Sequence, residues 1–563
     1  MAAKDGGKAM SKTETDGGDK DIPQRRYQTA SEVLEAVGTF GRYQIYNCFV
    51  LQYAAIIGAG IFAFAKFGVM FPHFTCSNQN PNATQKLWLN VSPPQMEEYE
   101  CMVKNNCTDR KVAYSHFVSV KEEWLLVCGD DHLADLIFQM AGVGRVLGAI
   151  IGGHISDYWG RKKALYPSMY AVCLISTLST ACTSWKSLTA CMFFVGFMYG
   201  MSEVGGFVLV MEKVDRKHRW IVNSCFQWIL QYPVVALIAY LTGNWRLYLI
   251  IINVVLAPLL LFFLVFLESP RYLIFHEHFD RAAKTLSDIA SNRWNHKNLE
   301  IEGDQLKGME TRTDPPPPDP RYPLLWQLFK TPRRAIFTLS LSFAMMTRAM
   351  LSSAFVQGSN PNEDPYVAIA VYGILRIWVP PLIVLLDWKF AWFGRRMAYV
   401  FFFGAIALCT LAINIVINLI SPASPLNWIF QYLAILDAIL CASGGWMAVG
   451  QVVAESYPTA IRGIAFGWVS SFDGVGSLLI QHLFDVGRLV STWFSGVVLL
   501  ALSVICVITG LLLVPETKHT SLTNRLHQLD DTLHLKTRSL LAREHHNSTA
   551  TETQPQLKQR SKF

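Results

Sequence analysis

The sequence predicts an all-α membrane protein of twelve transmembrane helices arranged as two six-helix bundles. Three observations carry that reading. The chain is 52% hydrophobic and only 16% charged, against about 25% charged in an ordinary soluble domain. It contains twelve apolar runs of about 20 residues, the length that crosses roughly 30 Å of hydrocarbon. Landmarks in its first half recur in its second. This balance excludes a disordered chain, a collagen and a small disulfide scaffold, and it argues against a soluble multidomain enzyme.

The runs cover residues 45–71, 134–155, 164–182, 187–210, 220–242, 247–267, 335–357, 366–386, 397–420, 427–453, 464–484 and 491–514. They are twice the length of a barrel strand, and a backbone in lipid must satisfy its own hydrogen bonds, so they read as helices. The order is a polar tail over 1–44, expected to be disordered, a first bundle over 45–267, a linker over 268–334, a second bundle over 335–514 and a tail over 515–563. Lys and Arg then set the orientation. Of 49 such residues, 37 fall on the side of the N-terminus and 8 on the other, with four inside spans. Both termini are therefore expected in the cytoplasm. The net charge of +7 is explained by loops beside lipid and calls for no nucleic acid.

The segment 72–133 falls on the outer side. It carries three sequons, at Asn82, Asn90 and Asn106, with Cys76, Cys101, Cys107 and Cys128. A glycosylated loop with two disulfides, in one of three pairings, is the expectation. A tail sequon at Asn547 is expected to stay unused on the cytoplasmic side.

Three landmark pairs repeat between the halves. Gly160, in the stretch Gly153 to Asp157 to Gly160-Arg161-Lys162, matches Gly394 in Gly394-Arg395-Arg396. Glu212, seven before Arg219, matches Glu455, seven before Arg462. Glu268, in Glu268-Ser269-Pro270-Arg271, matches Glu516 in Pro515-Glu516-Thr517-Lys518. Parallel repetition of this kind marks duplicated transporter bundles. Glycine lets helix ends approach closely, and Asp157 with its basic neighbours can pair with helix ends of the facing bundle. Such contacts would close one face and break as the halves rock.

These motifs, with Glu455-Ser-Tyr-Pro458-Thr-Ala-Ile-Arg462-Gly463, resemble those of the major facilitator superfamily. With the long outer loop, the chain resembles the organic cation, anion and zwitterion transporter family of solute carriers over about residues 32–522. The resemblance implies twelve spans, a central cavity open alternately to each side, and passage of small organic ions. It also exposes departures. Tyr158 follows Asp157 where the family places a basic residue. Ala391 stands where the second motif would place its Asp, which weakens that gate. Gly474, with Asp473 beside it, occupies the charge position of the eleventh span, while Val379 and Ile383 occupy those of the eighth, and Ser352-Ser353 replace a Tyr pair.

Charges inside spans cost several kcal/mol, about 2.5 to 3.5 on insertion scales, unless they face a cavity or partner. Glu203, Asp437 and Asp473 are mid-span acids, and Arg145, Arg348 and Arg376 mid-span bases; an internal ion pair that fixes helix register is the bland alternative for each. Lys66 and Asp387, near span ends, are expected to snorkel. The expected cavity binds a small organic ion, with a preference for a cation or zwitterion. Glu203 and Asp473 would face a cationic group beside Phe207, Trp228 and Tyr232, and Arg348 or Arg376 would face a carboxylate. No phosphate loop, zinc-protease helix or nucleophile elbow occurs, so neither enzyme, cofactor nor metal site is expected. A transport-inactive receptor would keep the cavity and lose the gates.

Overall fold

The computed structural model describes residues 27–70, 74–76, 110–112, 116–215, 217–225, 231–255, 261, 265–307, 309, 324–358, 364–419, 428–491 and 493–518. Within them the first bundle contains α2 (Arg42–Phe67), α3 (Asp131–Trp159), α4 (Arg161–Ser179), α5 (Trp185–Met211), α6 (Arg219–Cys225), α7 (Gln231–Thr242) and α8 (Trp245–Ile250), the last continuing as a π turn over Ile251–Val255. A helix α1 (Ala30–Val37) precedes them. The linker contributes α9 (Pro270–Phe275) and α10 (Phe279–Ala290). The second bundle contains α11 (Pro332–Gly358), α12 (Pro365–Leu375), α13 (Val379–Lys389), α14 (Arg395–Leu419), α15 (Trp428–Ile439), α16 (Trp446–Ser456), α17 (Arg462–Val490) and α18 (Phe494–Leu513), with a π turn over Leu440–Gly445 between α15 and α16. Nine helices among the described residues are long and apolar enough to span a membrane. The remaining three predicted runs coincide with α4, with α6 and α7 together, and with α8 and its π turn.

Helix starts follow local chemistry. Ser184 accepts the Ser187 N–H before α5, Ser269 the Tyr272 N–H before α9, and Asp364 the Tyr366 N–H before α12, each satisfying a backbone donor that the helix leaves open. Packing within the first bundle rests on small residues. A Cβ on Gly148 would overlap the Phe197 carbonyl, and one on Gly196 the Ala141 carbonyl, so α3 and α5 meet backbone to backbone, as small residues four apart allow. Outward-facing Phe49, Leu174, Leu408 and Leu489 stay exposed, the surface that lipid rather than water accommodates.

Two expectations need correction. Residues 30–37 are not a disordered tail: Val33, Leu34 and Val37 form one apolar stripe buried with Leu273, Leu286 and Ile289, and Thr29 caps the helix. Asp387 does not snorkel. It is buried, paired with Arg395 at 2.7 Å and Lys518 at 3.3 Å, since two cations lie closer than any headgroup. In the segment 72–133, Phe74–Cys76 (β1) pairs antiparallel with Arg110–Val112 (β2), and Cys128 is disulfide-bonded. Cys101, Cys107, Asn82, Asn90, Asn106 and Trp228 lie outside the described residues.

Candidate functional site

At one end of the molecule the repeated motifs converge into two nearly equivalent charge clusters. Glu212, at the end of α5, is fully buried. It accepts from Arg161 of its own bundle at 3.2 Å, from Arg462 of the other at 2.7 Å, and from the Ser269 hydroxyl at 2.5 Å. Glu455 has the mirrored set: Arg395 of its own bundle at 3.1 Å, Arg219 of the other at 3.3 Å, and the Thr517 hydroxyl at 2.5 Å. Burial alone would raise the Glu212 carboxyl, but the guanidinium groups of Arg161 and Arg462 overcome it and hold it below the usual carboxylate range.

The glycines and the following acids form a second repeated device. Gly160 has φ +119°, and a Cβ there would sit 2.6 Å from the Glu268 carboxylate. That carboxylate accepts the Lys162 N–H at 3.2 Å, capping α4. Gly394 likewise leaves room for Glu516, which accepts the Arg395 N–H at 2.9 Å and the Arg396 N–H at 3.3 Å, capping α14. A bare helix N-terminus carries open donors and partial positive charge, so an anion there is favoured.

The halves differ at Asp157. It accepts the Gly463 and Ile464 N–H groups at 2.9 and 2.7 Å, at the start of α17 in the other bundle, and pairs with Arg161 at 2.9 Å. Gly153 and Gly463 let those ends touch, a Cβ on Gly153 falling 2.7 Å from Ile464 Cα. Ala391 offers α6 no such carboxylate. Instead Lys518 donates to the carbonyls of Asp387, Phe390 and Phe393 at 2.8 to 3.0 Å. Arg271 makes no bond to either cluster's carboxylate among the described residues and donates to Ser31 of α1 at 3.0 Å.

Midway between the ends lies a second set of charges. Arg145 of α3 grips Glu203 of α5 through three contacts of 3.0 to 3.1 Å and also meets Asp473 of α17 at 2.8 Å, so one guanidinium ties the two bundles together. Asp473 is paired in addition with Arg348 of α11. Neither acid therefore stands open to a cation. Arg376, where the eighth run breaks between α12 and α13, lies 5.3 Å from the rings of Tyr232 and Tyr372. It donates to Ser443 Oγ at 2.8 Å and Ala442 O at 3.2 Å, while Arg348 donates to Cys441 O at 3.5 Å. Both arginines thus read the π turn, whose widened winding leaves carbonyls without helical partners. Phe207 stacks on Phe466 of the other bundle at 4.1 Å and edge-on to Trp446 at 5.4 Å.

Beyond this cluster the opposite end is also joined. Tyr366 of α12 stacks on Phe67 at 5.3 Å and meets Tyr240 edge-on at 5.7 Å, and Gln139 of α3 donates to Gln481 of α17. The mid-span charges thus lie between two ends at which the bundles touch. Sequence reasoning placed Glu203, Asp473, Arg348 and Arg376 in the site but left Arg145 there only as a mid-span base; the i, i+4 glycines flanking it, Gly144 and Gly148, mark the face that meets α5. The π turn left no signal beyond Gly444-Gly445, where a Cβ on Gly444 would overlap the Phe402 ring.

A helical membrane fold with duplicated charge clusters and buried intramembrane ion pairs defines a transporter of the major facilitator superfamily. The chain belongs to the sugar (and other) transporter family, whose model matches residues 83–525. Solute carrier family 22 member 2 of Rattus norvegicus is 27% identical over 416 residues, 71% of this chain and 69% of that protein. An organic cation transporter-like protein of Drosophila melanogaster is 24% identical over 531 residues, 86% of this chain and 90% of that protein. Among solved structures, the proton:xylose symporter XylE bound to 6-bromo-6-deoxy-D-glucose superposes with a TM-score of 0.57 at 16% identity, over 86% of this chain and 98% of that one.

Proposed function

We propose that the chain is a secondary carrier of small zwitterions, compounds with a cationic group and a carboxylate, working by alternating access in the plasma membrane with both termini cytoplasmic. The observation that carries this reading is Arg145, bridging Glu203 of one bundle and Asp473 of the other. A substrate cation competes for the two acids. The carboxylate then takes the guanidinium that is released, with Arg376 as its aromatic-flanked partner. Binding so removes the ion pair that joins the bundles, and the mouths are free to exchange. The basic loops support a cytoplasmic position for the motif end. The names of the relatives, organic cation transporter-like among them, agree with organic-ion transport. Ala391 does not favour an inactive receptor, because Arg395 keeps its bonds to Glu455 and Asp387.

A second reading, an organic anion carrier, is favoured by three arginines against two acids in the cluster. Uptake of radiolabelled cations, zwitterions and anions into cells expressing the chain separates the two. The zwitterion reading expects saturable zwitterion uptake, abolished by Asp473→Asn or Glu203→Gln and weakened at least tenfold in affinity by Arg376→Gln, the loss of one charged hydrogen bond of about 1.5 to 3 kcal/mol. Uptake of anions alone, indifferent to Glu203→Gln, would establish the second reading.

A further inference from the structure

Asp437 lies in the last turn of α15, three residues before the π turn, and is 4% exposed. Its Oδ2 lies 3.5 Å from the Thr410 hydroxyl, and its Oδ1 has no partner. No Lys, Arg or His among the described residues pairs with it. The elements packed on α15 are α14, α11, α12 and the π turn. Their titratable groups near this level are Cys409 of α14, Cys441 of the π turn, Tyr372 of α12 and Arg348 of α11. Cys409 and Cys441 are free thiols. The nearest cation in this set, Arg348, spends its charge on Asp473, yet donates to the carbonyl of Cys441, four residues beyond Asp437, and its Nε has no partner.

An ionised carboxylate in such a place would be desolvated without compensation, a cost that buried acids escape by holding a proton. We propose that Asp437 is a proton-binding site and that one proton is exchanged for each substrate molecule carried. This deepens the zwitterion-carrier reading and rests on it. In the state seen here Asp437 is a neutral acid and Arg348 is bound to Asp473. When a substrate cation takes Asp473, Arg348 is displaced. Its charge is then met by Asp437, whose O–H bond breaks and whose proton leaves to water on the side then open. Release of substrate reverses the exchange: a proton from that side reforms the acid, and Arg348 returns to Asp473. Substrate and proton therefore move in opposite directions.

Two measurements on the purified full-length protein test this. The first is difference infrared spectroscopy across neutral pH without substrate. A deuteration-sensitive carboxylic acid C=O band that is missing in Asp437→Asn supports the site; an unchanged spectrum in that variant overturns it, whatever the chain transports. The second is accumulation, in proteoliposomes with the voltage clamped, of whichever radiolabelled compound the uptake panel shows to be carried. An inside-acid gradient of one pH unit should concentrate it up to about tenfold under one-for-one exchange, and Asp437→Asn should abolish that accumulation. If the wild type shows exchange of labelled for unlabelled compound but no accumulation, the proton proposal fails and the carrier reading stands. If it shows neither, both fail. Should Asp437→Asn not fold, Asp437→Glu must keep both the band and the accumulation, and the wild-type arm decides alone.

Discussion

Asp157→Asn isolates one contact that exists only while the motif-bearing end is closed. The Asp157 carboxylate accepts two N–H groups at the start of α17, at 2.7 and 2.9 Å, across the boundary between bundles, and is 3% exposed. Its bond to Arg161 lies within one bundle and cancels between the closed and open states. An Asn side chain keeps one acceptor oxygen but turns an amide N–H₂ toward the second backbone N–H, and it brings no charge to the helix start. Losing one charge-assisted bond costs about 1.5 to 3 kcal/mol, and losing the charge at the helix N-terminus about 0.3 to 1 more. The closed state should therefore weaken by about 2 to 4 kcal/mol, which moves the equilibrium toward the open state by roughly 30- to 1,000-fold. Spin labels on the exposed positions Lys163 and Lys389, one per bundle, report the opening as a longer distance by pulsed electron resonance. A distribution identical to that of the wild type would refute this account of the gate.

Gly160→Ala should lower the melting temperature in detergent more than Ala substitution at an ordinary surface glycine, by a destabilisation of about 1 to 3 kcal/mol, because the residue is held at φ +119° with Glu268 where a Cβ would go; an unchanged melting temperature would contradict the capping role of Glu268. Lys213, buried between the Tyr43 hydroxyl at 3.2 Å and the Leu267 carbonyl at 2.6 Å, is pushed down to about 7 by burial. Between that value and the usual 10.5 the unfolded chain holds a proton that the folded chain lacks, so this group makes stability rise with pH across the window, at up to about 1.4 kcal/mol per unit, and makes the protein weakest below pH 7. Thermal unfolding from pH 7 to 9 should show that slope in the wild type and a smaller one in Lys213→Met; equal slopes would remove Lys213 from the explanation.

Much of the charge clustering at the motif-bearing end was legible because its residues sit in short, spaced motifs that repeat. Gly160 with Gly394, Glu212 with Glu455 and Glu268 with Glu516 occupy equivalent places in the structure, and even Ser269 and Thr517, unremarked next to their acids, do the same work. What the sequence could not express was which partner each charge takes. Arg271 looks like a gate residue and binds α1 instead; Asp387 looks like an interfacial acid and serves Arg395 in place of the carboxylate missing at Ala391. The intramembrane acids were visible as charges in apolar runs, but their neutralisation by Arg145 and Arg348 depends on three-dimensional proximity between different helices, 58 residues apart in sequence for Arg145 and Glu203 and farther for the pairs to Asp473. The break in the eighth run was legible in Pro380-Pro381, which open α13, whereas the π turn had only Gly444-Gly445 to mark it.

Exchange across the membrane tests the central claim most directly. Proteoliposomes loaded with an unlabelled zwitterion and diluted into the same compound in labelled form should take up label faster than unloaded ones, because a carrier whose two mouths open in turn returns quickly only when it is loaded. Uptake of label at the same rate whether or not the far side is loaded, or uptake that never saturates, would contradict alternating access in this chain.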